Sequence, residues 1–289
     1  MATDSGGQVL VSQSCVVNLH DLLAYERIVN MTLHGNNTES SEGTSADSLQ
    51  LASRSRLEAM YLDSPLPPEH MMFNLGMYVR SSLLVKFLFM DDIYKRISNL
   101  PGVLVEFGVW WGQNLVLMEN LRAIHEPFNK QRIILGFDTF NGYRTFTDKD
   151  VRGDVMSDGT YATPADYKQR LAQLLEAHER ANAFGHRSGN HKLIEGDVTI
   201  TAHEYFEANP HTLVAMAFFD IGTYRPTLEG LKAIKSSLIP GSVIVFDELT
   251  WNGAPGEAIA FKEVFRNIKY KIERSHLYPS KAIVTIVNI

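Results

Sequence analysis

Short apolar runs, each long enough for one buried strand, recur along the second half of the chain and are separated by stretches with helical spacing. The first run starts at Val103, and the others lie at 133–137, 192–194, 213–219, 242–246, 269–273 and 282–287. Nearly continuous apolar strands that alternate with helices are typical of a parallel sheet that is covered on both faces. The pattern therefore predicts an α/β fold.

The last two runs are joined by a segment around Pro279 that is too short for a crossover helix. Strands with so short a connection pair antiparallel. The predicted architecture is thus Rossmann-like, with seven mainly parallel strands, helices on both faces and an antiparallel C-terminal hairpin.

The N-terminal part of the chain has a different pattern. Apolar residues at mixed spacing in 8–34 predict a helical arm, and the Asn-, Ser- and Thr-rich stretch 36–48 is typical of a flexible linker. Order is expected to return near Leu49. We therefore predict an N-terminal helical arm and linker at 1–70 and one α/β domain at 71–289.

A long polar run occupies residues 141–164, directly after the second predicted strand. A connection of this length without clear periodicity is either functional or disordered. Because it follows the carboxyl end of a strand, where ligands bind in open α/β sheets, we favour a lid over a ligand site. The alternative is a solvated insertion.

Composition narrows the range of partners. The 289 residues are 45% hydrophobic and carry a formal net charge of -6, which argues against nucleic acid as a partner. No apolar stretch is long enough for a membrane span, and no signal peptide is apparent. The single cysteine, Cys15, allows no internal disulfide. We expect a cytoplasmic protein that acts on a small molecule.

The turn after the first strand carries the pattern Glu106-x-Gly108-x-x-x-Gly112. Its glycines permit a tight turn and a close approach of ligand to backbone, and the helix that follows offers unpaired N–H groups. A carboxylate at this point would repel the pyrophosphate of a dinucleotide, so a cationic or hydroxyl-bearing ligand fits better. The alternative is a buried strand whose glycines serve only the turn.

Two further acids follow the second and third strands. Asp138 can accept hydrogen bonds from both hydroxyls of a ribose, and Asp197 can accept one from an adenine amino group while Val198 packs on the ring. Each acid could instead cap a helix.

Three more acids follow the fourth and fifth strands, namely Asp220 and the pair Asp247-Glu248. Parallel strands end at the same edge of a sheet, so these carboxylates are expected to converge. At close range they would raise one another's pKa unless a cation were present, and oxygen ligands suit Mg²⁺ or Ca²⁺. The alternative is that Asp220 serves the ligand while the pair is solvated or caps a helix.

Taken together, the motifs resemble the macrocin O-methyltransferase family over about residues 70–289. Members of that family depend on S-adenosylmethionine, often need Mg²⁺ and commonly methylate sugar hydroxyls in antibiotic and other secondary-metabolite pathways. The motifs that carry the resemblance are Asn74-Leu75-Gly76, Gly102 to Gly112, Gly136-Phe137-Asp138-Thr139-Phe140-Asn141-Gly142, Asp220-x-x-x-Tyr224-x-Pro226-Thr227, Pro240-Gly241-Ser242, Phe246-Asp247-Glu248-Leu249 and Pro255-Gly256-Glu257.

The resemblance implies roles for individual residues. It implies that Asp220, Asp247 and Glu248 ligate the metal and carry the catalysis. The residues that it implies hold S-adenosylmethionine are Glu106, Gly108, Asp138 and Asp197, to which we add the neighbouring positions Gly112, Asn114, Thr139, Phe140, Val198 and Asp220.

One position departs from the family pattern. The family usually has a second acid two residues after the first, as the proposed general base, and this chain has Gly222 there. Either a metal-bound alkoxide forms without that base, or another residue such as Asp247, Glu248 or an acid of the lid replaces it, or methyl transfer is impaired.

Aromatic residues and histidines give weaker signals. Trp110 and Trp111 could line the cofactor pocket, although we expect at least one of them in the core, and Trp251 is placed to stack on a sugar ring. No histidines pair at metal-ligand spacing, and most are interpreted as solvated: His125, His178, His186, His191, His203 and His211.

The sequence therefore predicts an S-adenosylmethionine-dependent O-methyltransferase that acts, with divalent-metal assistance, on a sugar hydroxyl of a natural product. By family analogy, the N-terminal arm favours a homo-oligomer. One alternative, suggested by Gly222, is a protein that binds the cofactor but has impaired catalysis. A nicotinamide-dependent oxidoreductase is disfavoured by Glu106 and by the missing three-glycine pattern.

Overall fold

A computed structural model describes residues 47–153, 155–182 and 190–288. The chain divides into two compact units, with the boundary between Tyr78 and Val79. The arm predicted at 8–34 and nearly all of the linker lie outside the described residues. No helix in the described part of the chain is both long and apolar enough to cross a membrane.

The described part of the first unit consists of helix α1 (Ser48–Leu62), the short helix α2 (Pro68–Met71) and a 3₁₀ turn at Leu75–Tyr78. Helix α1 begins with a capping box, in which the Asp47 carboxylate accepts from the Gln50 N–H at 2.8 Å and the Gln50 amide oxygen accepts from the Asp47 N–H at 3.0 Å. Leu49, near which the sequence predicted ordered structure, lies in this helix.

The second unit contains a seven-stranded sheet with the order β3-β2-β1-β4-β5-β7-β6. Strands β1 to β5 are parallel, and β7 lies antiparallel between β5 and β6. The predicted Rossmann-like sheet with its antiparallel hairpin is confirmed. The strands are β1 Val103–Phe107, β2 Ile134–Asp138, β3 His191–Glu195, β4 Val214–Phe219, β5 Leu238–Phe246, β6 Lys269–Arg274 and β7 Ala282–Asn288.

Strand β5 begins at Leu238, four residues before the predicted start at Ser242. Pro240-Gly241 interrupts the apolar run and has the composition of a turn. In the structure the Ser242 hydroxyl accepts from the Ile239 N–H at 2.8 Å and donates to the Val214 carbonyl at 2.6 Å, which carries the strand through this irregular point.

Helices cover both faces of the sheet, as predicted. One buried cluster joins the sheet to α3 (Ser81–Ile97), α4 (Gln113–His125) and α5 (Tyr167–Asn182). The other joins it to α6 (Val198–Ala208), α7 (Tyr224–Ile234) and α8 (Pro255–Val264).

Four phenylalanine rings stack across the carboxyl ends of β2, β1, β4 and β5. Their centroids are 5.0 Å apart for Phe137–Phe107, 4.6 Å for Phe107–Phe219 and 5.4 Å for Phe219–Phe246. Stacked aromatic pairs of this kind contribute about 0.5–1.5 kcal/mol beyond their buried area. The row of rings fixes the position of four strand ends relative to one another.

Candidate active site

The residue that follows each ring of this row lies at the edge of one cleft, which has a volume of about 320 Å³. These four residues are Gly108, Asp138, Asp220 and Asp247. Small-molecule sites commonly lie at this edge of an open α/β sheet and have volumes of about 300–1,000 Å³. The packing of the strand ends therefore positions the predicted functional residues around one cavity.

Backbone strain is concentrated around the cleft. In the described part of the chain, the non-glycine residues with positive φ are Trp110 at 49°, Phe140 at 55° and Tyr161 at 67°. Trp110 and Tyr161 line the cleft, and Phe140 adjoins its wall residue Thr139. Such conformations cost about 1–3 kcal/mol each and cluster at ligand-binding sites.

Glu106, which precedes the first turn, is not part of the cleft wall. Glu106 is 1% exposed, and its Oε1 accepts from the Asn114 amide at 2.6 Å while its Oε2 has no hydrogen-bond partner in the described structure. Burial, followed by the negative charge of Asp220, raises the pKa of Glu106 well above its usual value. The turn thus holds a buried acid with an unsatisfied oxygen.

The two glycines of this turn have different surroundings. A Cβ at Gly108 would stand 2.0 Å from the Asp220 carbonyl oxygen, so only glycine allows β1 and β4 to approach so closely. Gly112 precedes α4, and a Cβ there would stand 2.4 Å from the Leu171 side chain. Gly108 lines the cleft, whereas Gly112, Asn114, Phe140 and Glu106 do not form its wall.

Asp138 joins the first two turns. Its Oδ2 accepts from the N–H groups of Val109 at 2.6 Å and Trp110 at 2.7 Å, and its Oδ1 accepts from the Phe140 N–H at 2.6 Å. A carboxylate offers about four acceptor positions, so one remains for a ligand hydroxyl. Its ribose-binding role stays a prediction.

Asp197 both caps a helix and faces the cleft. It precedes α6, accepts from the Thr199 N–H at 2.9 Å, and accepts from the Thr145 hydroxyl at 3.4 Å. Val198 and Asp197 both line the cleft. The cap that sequence reasoning weighed as an alternative is present, and a contact with adenine remains compatible with it.

The three predicted metal ligands converge. Asp220, Asp247 and Glu248 each place a carboxylate oxygen within 4.8 Å of the others. Burial, followed by the charges of Asp247 and Glu248, raises the pKa of Asp220 well above its usual value. Burial and the Asp247 charge raise the pKa of Glu248 to about 7, and its buried Oε2 has no hydrogen-bond partner in the described structure.

Sequence reasoning missed the cation in this cluster. Lys281 is 8% exposed, and its ammonium group forms an ion pair with Asp247. Ala282 pairs with Phe246 across β7 and β5, so the next residues outward on the antiparallel strands, Lys281 and Asp247, are neighbours. The register of the sheet would have revealed the pair, but the sequence alone does not show that β7 adjoins β5.

A fourth carboxylate supports the cluster from behind. Glu257, which is fully buried in α8, accepts from the Gly222 N–H at 3.3 Å and from the Glu248 N–H at 3.0 Å. Burial, followed by the charge of Glu248, raises the pKa of Glu257 well above its usual value. Glu257 thereby ties together the loops that follow β4 and β5.

Gly222 lies against the acids and the long loop. Its φ is 69°, and a Cβ there would stand 3.0 Å from the Glu248 Oε2, 3.1 Å from the Met156 methyl and 3.2 Å from the Tyr143 hydroxyl. The family's second acid would need this space. In this chain Glu248 and Tyr143 bring their oxygens to it instead.

The long polar run contributes Tyr143 and Tyr161 to the cleft wall. It is also attached to the start of helix α7, because Asp150 accepts from the Tyr224 N–H at 2.6 Å and the Lys149 ammonium lies 3.7 Å from the centroid of the Tyr224 ring. The run therefore forms part of the cleft wall, and its role as a lid stays a prediction. The Tyr224 hydroxyl donates to Glu263 at 2.7 Å.

The prediction that Trp110 or Trp111 lies in the core is wrong. Their side chains are 44% and 41% exposed, because the turn points them outward, where Trp110 meets the Tyr161 ring at 5.2 Å. Trp251 is 47% exposed and does not form the cleft wall. Its stacking on a sugar stays a prediction.

The cleft suits a cationic nucleoside. Asp138, Asp197 and Asp220 surround it, and the buried Glu106 and Glu248 each have an oxygen without a hydrogen-bond partner in the described structure. A sulfonium and an ammonium group complement the charge of these acids. The sheet order and this site define a class I S-adenosylmethionine-dependent methyltransferase.

Comparison with solved structures assigns the family. A crystal structure of CalS11, a calicheamicin methyltransferase, matches with a TM-score of 0.78 and 35% identity over 84% of this chain and 94% of CalS11. Apo CalS11, described as a TDP-rhamnose 3'-O-methyltransferase of calicheamicin biosynthesis, matches with a TM-score of 0.73 and 33% identity over 84% of this chain and 96% of CalS11. The chain therefore belongs to the class I S-adenosylmethionine-dependent sugar O-methyltransferases, as its motifs indicated.

A more distant structure, the O-methyltransferase NovP, shares the fold with a TM-score of 0.54 and 14% identity over 71% of this chain and 80% of NovP. No family model and no curated protein matches the chain. The family membership supports S-adenosylmethionine as the methyl donor and an O-methyltransferase activity, as predicted.

Proposed function

We propose that the protein methylates a sugar hydroxyl of a natural product or of its activated precursor, with the help of a divalent cation such as Mg²⁺ or Ca²⁺. The observation that carries this proposal is the convergence of Asp220, Asp247 and Glu248 at the edge of the cleft. Oxygen ligands at this spacing suit a hard divalent ion.

The cofactors supply two kinds of chemistry. S-adenosylmethionine supplies a methyl group on a sulfonium. A divalent cation held by the three acids would make a bound hydroxyl easier to deprotonate. The chain itself binds the nucleoside through Asp138, Asp197 and Val198, and it orients donor and acceptor for in-line transfer.

The proton of the attacking hydroxyl needs an acceptor, since Gly222 has no side chain. The Glu248 Oε2 lies 3.0 Å from the point where a Cβ of residue 222 would stand, so it occupies the space of the missing acid. We assign proton acceptance to Glu248. Burial, followed by the charge of Glu248, raises the pKa of Tyr143, so its hydroxyl remains protonated and can donate a hydrogen bond to the acceptor oxygen.

Two cations on the cleft wall bear on the acceptor. Lys86 and Arg144 line the cleft, and neither has an ion pair with another described residue. CalS11 acts on a TDP-sugar, and the phosphates of such a substrate would suit a lysine and an arginine. We infer that a sugar nucleotide is the acceptor to test first, with a glycosylated natural product as the second.

The test is transfer of a labelled methyl group from S-adenosylmethionine to a panel of TDP-deoxysugars and glycosides. We expect O-methylated product, loss of turnover with a chelator and recovery with Mg²⁺. An Asp220→Asn variant should lose activity, whereas Asp166→Asn, on an exposed side chain, should not. Turnover that is unaffected by the chelator would show that the reaction does not need a metal ion. Cofactor binding without transfer to any acceptor would favour an impaired enzyme.

A homo-oligomer is part of the same proposal. The first unit exposes large apolar side chains, including Phe73 at 93%, Met72 at 78% and Met77 at 64%. Apolar residues this exposed are typical of a surface that another protein covers, and we infer a second copy of the chain. Light scattering should give a mass of at least two chains, and Phe73→Ser with Met77→Ser should lower it. A monomeric wild type would contradict the proposal.

A further inference from the structure

A second cluster of possible metal ligands lies far from the cleft in the fold. His191 is the first residue of β3, so it lies at the amino-terminal edge of the parallel strands, opposite the edge that carries the acids. Glu119 projects from α4 and Glu179 from α5. Sequence reasoning gave none of the three a role and interpreted most of the histidines as solvated.

The geometry of the cluster is close. The His191 Nδ1 lies 3.4 Å from the Glu119 Oε1 and 3.4 Å from the Glu179 Oε2, and the three atoms lie within 4.8 Å of one another. Hydrogen bonds between nitrogen and oxygen are commonly about 2.7–3.2 Å long. Both separations are therefore longer than good hydrogen bonds.

Two of these atoms are unsatisfied. The Glu119 Oε1 and the His191 Nδ1 are buried and have no hydrogen-bond partner in the described structure, and Glu119 is 1% exposed. A buried carboxylate oxygen without a partner is costly.

The other oxygens of both carboxylates are held by one arginine. The Arg122 guanidinium donates to the Glu119 Oε2 at 2.6 Å and to the Glu179 Oε1 at 3.0 Å. Ligating carboxylates are usually oriented by such outer hydrogen bonds. The Asn190 N–H also donates to the Glu179 Oε1, at 3.1 Å.

We propose that Glu119, Glu179 and His191 bind a first-row transition metal ion, with Zn²⁺ as the best fit. Zinc takes nitrogen and carboxylate oxygen at about 2.0–2.2 Å in a tetrahedron, whose edges are then about 3.3–3.5 Å long. The two 3.4 Å separations match such edges.

The ion would have a structural role. It would connect α4, α5 and the start of β3, because each element supplies one ligand. Metal binding to a folded site stabilises the fold, so the unfolding temperature should rise with added metal.

The test is a Zn²⁺ titration of the chelator-treated full-length protein, followed by calorimetry and by thermal unfolding. Asp247→Asn is the control for zinc binding by the acids of the cleft. This variant should still bind zinc at Glu119, Glu179 and His191. His191→Gln removes the nitrogen ligand, and its matched control is His203→Gln, because His203 also pairs with a glutamate, at 2.9 Å from Glu229. In the Asp247→Asn background we expect one zinc per chain, with affinity at least about tenfold weaker when His191→Gln is added and unchanged when His203→Gln is added.

Co²⁺ gives an independent readout, because a tetrahedral site has a distinct visible absorption. Glu119→Gln keeps an oxygen acceptor for Arg122 and serves as a second variant if His191→Gln folds poorly. The proposal predicts that either change removes the absorption. Zinc affinity and Co²⁺ absorption that are the same in wild type and in both variants would overturn it.

Discussion

At the scale of single residues, Glu257 is the least expected member of the site. Its carboxylate accepts from the backbone N–H groups of Gly222 and Glu248, and so it holds the two acid-bearing loops together. We predict that Glu257→Gln lowers the rate of methyl transfer by about tenfold or more and destabilises the protein by about 1–3 kcal/mol, because an amide oxygen replaces only one acceptor.

The matched control for this change lies on the same helix. Glu263→Gln alters a partly exposed carboxylate that accepts from the Tyr224 hydroxyl. Steady-state kinetics and thermal unfolding should show a small effect for this variant. Equal losses for the two variants would mean that Glu257 has no special role.

The glycine at position 222 leaves two possibilities: the enzyme lacks a general base, or another residue serves as the base. We predict that Gly222→Asp slows methyl transfer, because the new side chain would start 3.0 Å from the Glu248 Oε2 and would add charge to a buried acidic cluster. Gly222→Asn has the same shape without the charge and should lose less activity. A rate increase in Gly222→Asp would instead favour an enzyme impaired by loss of the family's acid.

At the scale of elements, β7 brings a cation to the acids that follow β4 and β5. Lys281 is ion-paired with Asp247 and offsets part of the negative charge of the cluster. We predict that Lys281→Met increases the affinity for Mg²⁺ by about tenfold at low ionic strength. The reason is that the Lys281 ammonium no longer competes with the metal ion for the carboxylates of the cluster. Calorimetric titration with Mg²⁺ measures this, with Lys271→Met, an exposed lysine on β6, as the control. Unchanged or weaker binding would show that Lys281 does not compete with the ion.

The elements of the fold could be predicted largely from the sequence because buried strands have apolar runs of a distinct length. The exception is the start of β5, whose predicted position was wrong for a local reason. Pro240-Gly241 has the composition of a turn, yet the hydrogen bonds of the Ser242 hydroxyl continue the strand. The convergence of Asp220 with Asp247 was predictable from parallel pairing. The contact with Lys281 was not, because it depends on which strand adjoins β5.

Side-chain neighbours explain the remaining surprises at the site. Asp138 was expected to face a ribose, yet its oxygens also accept three backbone N–H groups, a contact that depends on how two turns fold together. Trp110 was a candidate for either the cofactor pocket or the core, and it lines the cleft with its side chain partly exposed. The side chains next to His191 come from α4 and α5, and their spacing along the sequence does not predict this contact.

At the scale of the whole molecule, stability on acidification depends on a buried ion pair. The Arg132 guanidinium, 1% exposed, donates to Glu126 at 2.8 Å and to the carbonyls of Gly102 at 2.6 Å and Leu100 at 2.8 Å. Burial alone would raise the pKa of Glu126, but hydrogen bonds from Arg132, Tyr94 and Asn129 outweigh it and lower the pKa.

The sign of the pH effect follows from that shift. A carboxyl with a lowered folded-state pKa adds stability above its unfolded pKa of about 4.3, and this stability is lost as the pH falls through the folded value. We predict that Glu126→Gln destabilises the protein by about 2–4 kcal/mol at pH 7. Below pH 4 the wild type loses the stability that Glu126 contributes, so its free energy of unfolding should fall more than that of the variant. Urea unfolding at a series of pH values measures both free energies. Parallel pH curves for wild type and variant would contradict this.

The central claim is that the cleft at the carboxyl ends of β1, β2, β4 and β5 binds S-adenosylmethionine. Calorimetric titration of the purified protein tests it most directly. The account predicts one S-adenosylmethionine per chain, no binding of NAD, and affinity at least about tenfold weaker in Asp138→Ala, which leaves the turn of Val109 and Trp110 without its acceptor. Binding of NAD, or S-adenosylmethionine affinity that is the same in Asp138→Ala and wild type, would contradict it.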